Sequence, residues 1–339
     1  EKESLVAIRA GFQRVPQYRW DPLETGSNRD QRFFFMTTFR LSGLIAAPYT
    51  AFHADGALNL GAIANQAGLF ARNGVTGAFV CGTTGEGLSL TTVERQAVTE
   101  EWLKYAGPAL SVIVNVGHAG MADSLVLAAH AQKAGAAAIG CFAPCFYKPA
   151  GIDDLIRYCA VVAAAAPHLP FYFYHIPSMT GVNFPVIEFL NGAADLIPNL
   201  AGVKFTYENL MDFLACLHFM GGKYDLLFGR DEILLAGLSL GARGAIGSTY
   251  NYVAPGFLRI IAAFQKGDIE LARQEQIRVN AVLDLIFRRG GLAAGKAVME
   301  FIGVDCGPTR LPLRTLSASE KRSLRQELAA VGFESICSA

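Results

Sequence analysis

The sequence predicts an α/β protein, a (β/α)8 (TIM) barrel with a C-terminal helical extension. Three observations predict it. Eight short apolar runs between residues 43 and 249 each precede a stretch with helical period. The runs, such as SVIVNVG (111–117) and LPFYFYH (169–175), are apolar on both faces, as strands of a parallel sheet covered by helices are. Polar residues cluster at the C-terminal ends of five runs, the end at which barrels of this kind build their sites.

In chain order, GLIAAP (43–48) precedes a helix reaching about residue 73, and GAFVCG (77–82) precedes TTVERQAVTEEWLKYA (91–106), which opens on a threonine cap. SVIVNVG precedes 121–134, AAIGCFAP (137–144) precedes 152–166, and PFYFYH (170–175) precedes 184–191. AGVKF (201–205) precedes 209–220, DLLFG (225–229) precedes 231–239, and RGAIGST (243–249) precedes 255–265. An open doubly wound sheet is the structural alternative, but no GxGxxG follows the first run and no acidic residue stands at ribose-binding distance beyond it. After residue 265 only helical patterns remain, at 268–288, 291–302 and 318–331. The expected division is therefore a tail over 1–40, a barrel over 41–265 and a helical extension over 266–339. Residues 1–40 carry no sustained period and no signal-peptide pattern; Met36 and the following TTFRLSGLIAAP read as the opening of the folded part.

Composition excludes several functions. Lys+Arg and Asp+Glu balance at 29 each with no long block of like charge, which argues against nucleic acid and anionic lipid as partners. No segment approaches the roughly 18 consecutive apolar residues of a membrane span. The seven cysteines are scattered and sit mostly in apolar context, which fits reduced, buried thiols and a cytoplasmic protein. Cys141 and Cys145 lack further ligands at metal spacing, and no metal site is expected.

LAGVKFTYENL (200–210) poses the chemical question, since lysine is almost never buried unless paired or functional, and Lys204 lies inside an apolar strand. At the end of the sixth strand it would face the barrel mouth. A lysine partly stripped of water loses preference for its charged form, and the neutral amine condenses with ketones. The protonated imine is an electron sink for making or breaking a C–C bond. Tyr174 closes the adjacent fifth strand and could exchange a proton beside that imine. GTTGEG (82–87) follows the second strand; its hydroxyls and amides, at the entrance to a helix, suit a carboxylate. Thr206, FGRDE with Gly229, Asp231 and Glu232, and GSTYN with Gly247 and Ser248 end strands six to eight. Taken singly, each has a plainer reading: a packing turn, a core tyrosine, an acidic first turn of a helix. Lys296, in the helical run GLAAGKAVMEF, is the competing amine.

GTTGEG, YHIPSMTG, GVKFT, FGRDE and GAIGSTYN, in this order, resemble the N-acetylneuraminate lyase family, one branch of the pyruvate-dependent class I aldolases that also include dihydrodipicolinate synthase. The resemblance covers residues 42 to 335. It implies Lys204 as the Schiff-base lysine, Tyr174 as acid/base, and Thr83 and Thr84 on the pyruvate carboxylate. Thr206, Gly229, Asp231, Glu232 and Ser248 would bind sugar hydroxyls, with Gly247 on the same wall. It also implies sialic acid, pyruvate and N-acetylmannosamine as small-molecule partners, no cofactor, and a homotetramer. Synthases of the group typically carry arginine where this chain has Met179, and a second tyrosine where it has Phe146. Both departures, with the Asp231–Glu232 pair, favour a polyhydroxylated substrate. The other readings are an aldolase or dehydratase acting on a 2-keto-3-deoxy sugar acid, a dihydrodipicolinate synthase, and a non-catalytic sugar-acid-binding barrel.

Overall fold

A computed structural model describes residues 39–339; all but the last two residues of the expected tail lie outside it. The chain alternates as expected: β1 (Gly43–Ala46), α1 (Ala62–Arg72), β2 (Gly77–Val80), α2 (Thr92–Leu103), β3 (Ser111–Asn115), α3 (Met121–Ala134), β4 (Ala138–Phe142) and α4 (Ile152–Ala164). The second half continues with β5 (Phe171–His175), α5 (Pro177–Thr180), α6 (Val186–Ala193), β6 (Leu200–Phe205), α7 (Leu210–His218), β7 (Asp225–Phe228), α8 (Leu234–Leu240), β8 (Gly244–Gly247) and α9 (Tyr250–Gln265). All eight strands pair parallel with their sequence neighbours, and β8 pairs with β1 from Gly43↔Gly244 to Ala46↔Gly247, closing the barrel.

Strand alternation divides the core in two. Ile45, Phe79, Ile113, Tyr172, Leu227 and Ile246 fill the barrel interior. The intervening residues, among them Val80, Val112, Val114, Phe173 and Val203, face the surrounding helices. Each fully buried side chain of this size contributes about 1.5–3 kcal/mol of hydrophobic stabilisation. Both faces being buried explains why the strands are apolar throughout, and why any ionisable group pointing inward is out of place.

Local chemistry sets the helix ends. Thr91 and Glu94 form a reciprocal capping box on α2, as Ser317 and Glu320 do on α12 (Ala318–Ala330). α9 begins five residues before the expected start. Pro255 marks a helix entrance in the sequence, but the chain enters at Tyr250 and carries a break at Val253 (φ −130°), two residues before the proline ring. The short α5 inside HIPSMTG is also additional to expectation. α10 (Ile269–Phe287) packs along α9, and α11 (Leu292–Phe301) contacts α9, α10 and α12.

Candidate active site

The parallel register sets Tyr174 on β5 beside Lys204 on β6. Both side chains point into the barrel and are buried, at 3% and 4% exposure. The Lys204 amine lies 3.9 Å from the centre of the Tyr174 ring and 4.2 Å from that of Phe79. Burial strips water from the ammonium and brings its pKa from 10.5 down to about 7, while the charge of Asp231 pulls the other way. At neutral pH a substantial share of this lysine is a free amine. Burial pushes the Tyr174 phenol up to about 12, so it is held protonated; its Oη lies 3.4 Å from Thr83 Oγ1.

Thr83 and Thr84 sit in a tight turn after β2. The Glu86 N–H donates to the Thr83 carbonyl (3.0 Å), the Gly87 N–H to that of Gly82 (3.0 Å), and the Thr50 hydroxyl to that of Gly85 (2.7 Å). The turn is not the first turn of α2. A 3-10 turn over Gly87–Ser89 intervenes, and α2 starts only at Thr92. The turn's own amides and hydroxyls, rather than the α2 dipole, are what it presents to an anion.

The opposite wall comes from the ends of β6, β7 and β8. Asp231 is 5% exposed; its Oδ2 accepts from the Thr249 amide (3.1 Å) and hydroxyl (2.6 Å), while Oδ1 has no partner among the described residues. Burial raises its pKa to about 6, against the lowering effect of the Thr249 hydrogen bond. Residue 247 is glycine by necessity, because a β-carbon there would stand 1.9 Å from Asp231 Oδ1. Gly229 is equally tight against Thr206, whose buried hydroxyl has no partner among the described residues. Glu232 is the more open carboxylate, with its side chain 31% exposed and 3.7 Å from Arg230, which also pairs with Glu208.

All ten residues singled out from the sequence line one cleft of about 350 Å³: Thr83, Thr84, Tyr174, Lys204, Thr206, Gly229, Asp231, Glu232, Gly247 and Ser248. Sequence reasoning missed several of their supports. Thr249 holds Asp231, although it sits in the GSTYN stretch that pointed there. On α10, Gln276 Nε2 and Asn280 Nδ2 donate to the carbonyls of Asp231 and Glu232 (3.2 and 2.9 Å), which nothing local in the sequence signals. Asn115 points inward from the end of β3 and, with Phe142 and Met179, lines an adjoining cavity of about 250 Å³. Phe146 and Tyr147 are 78% and 86% exposed on the loop after β4. Lys296 lies on α11 and does not line the cleft; its Nζ is 2.8 Å from Glu86 Oε1 and donates to the Pro308 carbonyl (2.6 Å). Among the described residues no cluster of three His, Cys, Asp or Glu could hold a metal, and no helix is long and apolar enough to cross a membrane.

A closed α/β barrel that keeps a desolvated amine beside a phenol and a hydroxyl-bearing turn is the layout of a class I, imine-forming aldolase. The chain belongs to the dihydrodipicolinate synthetase family, whose profile matches residues 40–331. It is similar to N-acetylneuraminate lyase A of Xenopus laevis, 44% identical over 278 residues that span 81% of this chain and 91% of that protein. To N-acetylneuraminate lyase of Rattus norvegicus it is 40% identical over 299 residues, 87% of this chain and 93% of the relative. Among solved structures, Proteus mirabilis N-acetylneuraminate lyase matches with a TM-score of 0.84 at 43% identity, covering 86% of this chain and 99% of that one. Dihydrodipicolinate synthase from Cyanidioschyzon merolae matches with a TM-score of 0.80 at 28% identity, covering 86% of this chain and 98% of its own.

Proposed function

We propose that this protein reversibly cleaves N-acetylneuraminate to N-acetylmannosamine and pyruvate through an imine on Lys204. The observation that carries the proposal is the Lys204 amine, desolvated to a pKa of about 7 at the mouth of the barrel and set against Tyr174. The 40–45% identity to named N-acetylneuraminate lyases over most of the chain supports the choice of substrate.

The neutral Lys204 amine attacks the C2 ketone of the open-chain sugar acid; with one proton taken up from solvent, the ketone oxygen leaves as water and the protonated imine forms. Thr83 and Thr84 hold the carboxylate. Tyr174, protonated in the resting site, accepts the proton of the C4 hydroxyl as it passes its own to the substrate carboxylate. The C3–C4 bond breaks; its electron pair flows into the iminium to give an enamine, and C4 departs as the aldehyde of N-acetylmannosamine. Protonation at C3 and addition of water then release pyruvate and restore the amine. The iminium is the electron sink, so this sequence calls on no further cofactor. Glu232, Asp231, Ser248, Thr206 and the backbone at Gly229 and Gly247 form the wall that takes the sugar hydroxyls.

We assign the enzyme to the cytoplasm as a homotetramer. Five of its seven cysteines are buried thiols, which suits a reducing compartment. A substrate panel of N-acetylneuraminate, 2-keto-3-deoxygluconate and aspartate semialdehyde with pyruvate tests the function. Turnover of the first far above the other two is expected; preference for either of the others overturns the substrate assignment.

A further inference from the structure

The turn that carries Thr83 and Thr84 is fastened from the far end of the chain. Glu86, the acidic residue of this turn, adopts a left-handed conformation (φ 52°) and lines the adjoining cavity rather than the cleft. Oε1 meets the Lys296 ammonium of α11 at 2.8 Å, and Oε2 accepts from the Arg310 amide at 2.8 Å. The Glu86 and Lys296 side chains are only 1% and 3% exposed. Lys296 and Arg310 cover the ring of Phe52, each 4.3 Å from its centre, and Arg310 is paired in turn with Glu94 of α2. α11 comes close enough that a β-carbon at Gly295 would stand 1.8 Å from the hydroxyl of Tyr49, a cleft residue.

A buried ion pair adds little net stability over an apolar pair of the same volume, so stability alone does not account for two opposite charges here. What the contacts do supply is position: the Lys296 ammonium at Oε1 and the Arg310 amide at Oε2 hold the Glu86 carboxylate at both oxygens, and Glu86 is covalently part of a four-residue turn closed by the hydrogen bond from its own amide to Thr83. Burial pushes the Lys296 ammonium below its usual range, and the carboxylate of Glu86 draws it part of the way back.

We propose that Glu86 and Lys296 are positioning residues that hold the Thr83–Thr84 turn in the geometry that receives the keto-acid carboxylate, making α11 a working part of the active site. The inference rests on the imine reading of Lys204. The double variant Glu86→Gln/Lys296→Met tests it without leaving a lone buried charge. Borohydride trapping across a pyruvate series gives the half-saturating concentration, and repeating it across pH gives the midpoint set by Lys204. The expected result is a folded variant whose half-saturating pyruvate rises at least tenfold while the pH midpoint and the maximal labelling match the wild type. A half-saturating concentration within twofold of wild type overturns the proposal, as does a variant that fails to fold, because the pair is then a support of the fold and not of the turn. A wild-type protein that is never trapped removes the imine reading and this inference with it, whereas trapping in both proteins at equal pyruvate removes the inference alone.

Discussion

The Lys204 amine rests 3.9 Å from the centre of the Tyr174 ring, its neighbour across the β5–β6 register. Two opposing effects meet there. An aromatic face favours a cation by about 0.5–2 kcal/mol. The fall of the lysine pKa from 10.5 to about 7 corresponds to about 4–5 kcal/mol against the charged form. Desolvation wins, and the ring serves the site chiefly as a wall that keeps water off the amine.

Imine formation with pyruvate should therefore rise with pH through a midpoint near 7, because only the neutral amine attacks. The carboxylate of Asp231 holds that midpoint up. Asp231→Asn keeps an acceptor for Thr249 but removes the charge, and the midpoint should fall by about 0.3–1 unit. The pH profile of borohydride labelling measures it; an unchanged or higher midpoint contradicts the electrostatic account.

Tyr174→Phe should separate condensation from cleavage. The phenyl ring still shields Lys204, so pyruvate should be trapped near normally. Turnover of N-acetylneuraminate should drop by about 10²–10⁴, the usual loss for a positioned acid/base group. Equal loss of both steps would place the tyrosine in structure and not in proton transfer.

Lys204→Met should stabilise the protein while abolishing turnover. The folded wild type binds fewer protons than the unfolded chain between pH 7 and 10.5, so its stability rises with pH across that window. The advantage of methionine should thus be greatest below pH 7 and shrink by about 2–3 kcal/mol between pH 6 and pH 9. Urea unfolding at the two pH values reads this directly, and an advantage that does not change with pH would mean that Lys204 is not desolvated in the fold.

Glu232 is the exposed member of the acidic pair, and its loss should fall on the sugar and not on the keto acid. Glu232→Gln should cut kcat/KM for N-acetylneuraminate by about 10–100-fold, the worth of one charge-assisted hydrogen bond, with pyruvate trapping unchanged. Matching losses in the two assays would take Glu232 out of sugar recognition.

The barrel is legible in the sequence because strands buried on both faces have to be continuously apolar, and AGVKF breaks that rule at one position only. That single breach identifies Lys204, and strand periodicity suffices to place Tyr174 beside it. The entrance to α9 is less legible, since Pro255 mimics a helix start inside a segment already helical from Tyr250. The supports of the site are not legible at all where they cross the chain. Gln276 and Asn280 on α10 look like ordinary polar positions, and Lys296 offers no local sign of Glu86, its partner from the turn after β2, far away in the chain. A lysine in an apolar helical run reads the same whether it is a nucleophile or half of an ion pair, and only the fold separates the two.

The most direct measurement is therefore to incubate the protein with pyruvate and borohydride and map the reduced adduct by peptide mass spectrometry. A single adduct on Lys204, lost in Lys204→Met, is the expected result. No adduct, or an adduct on Lys296, would contradict it.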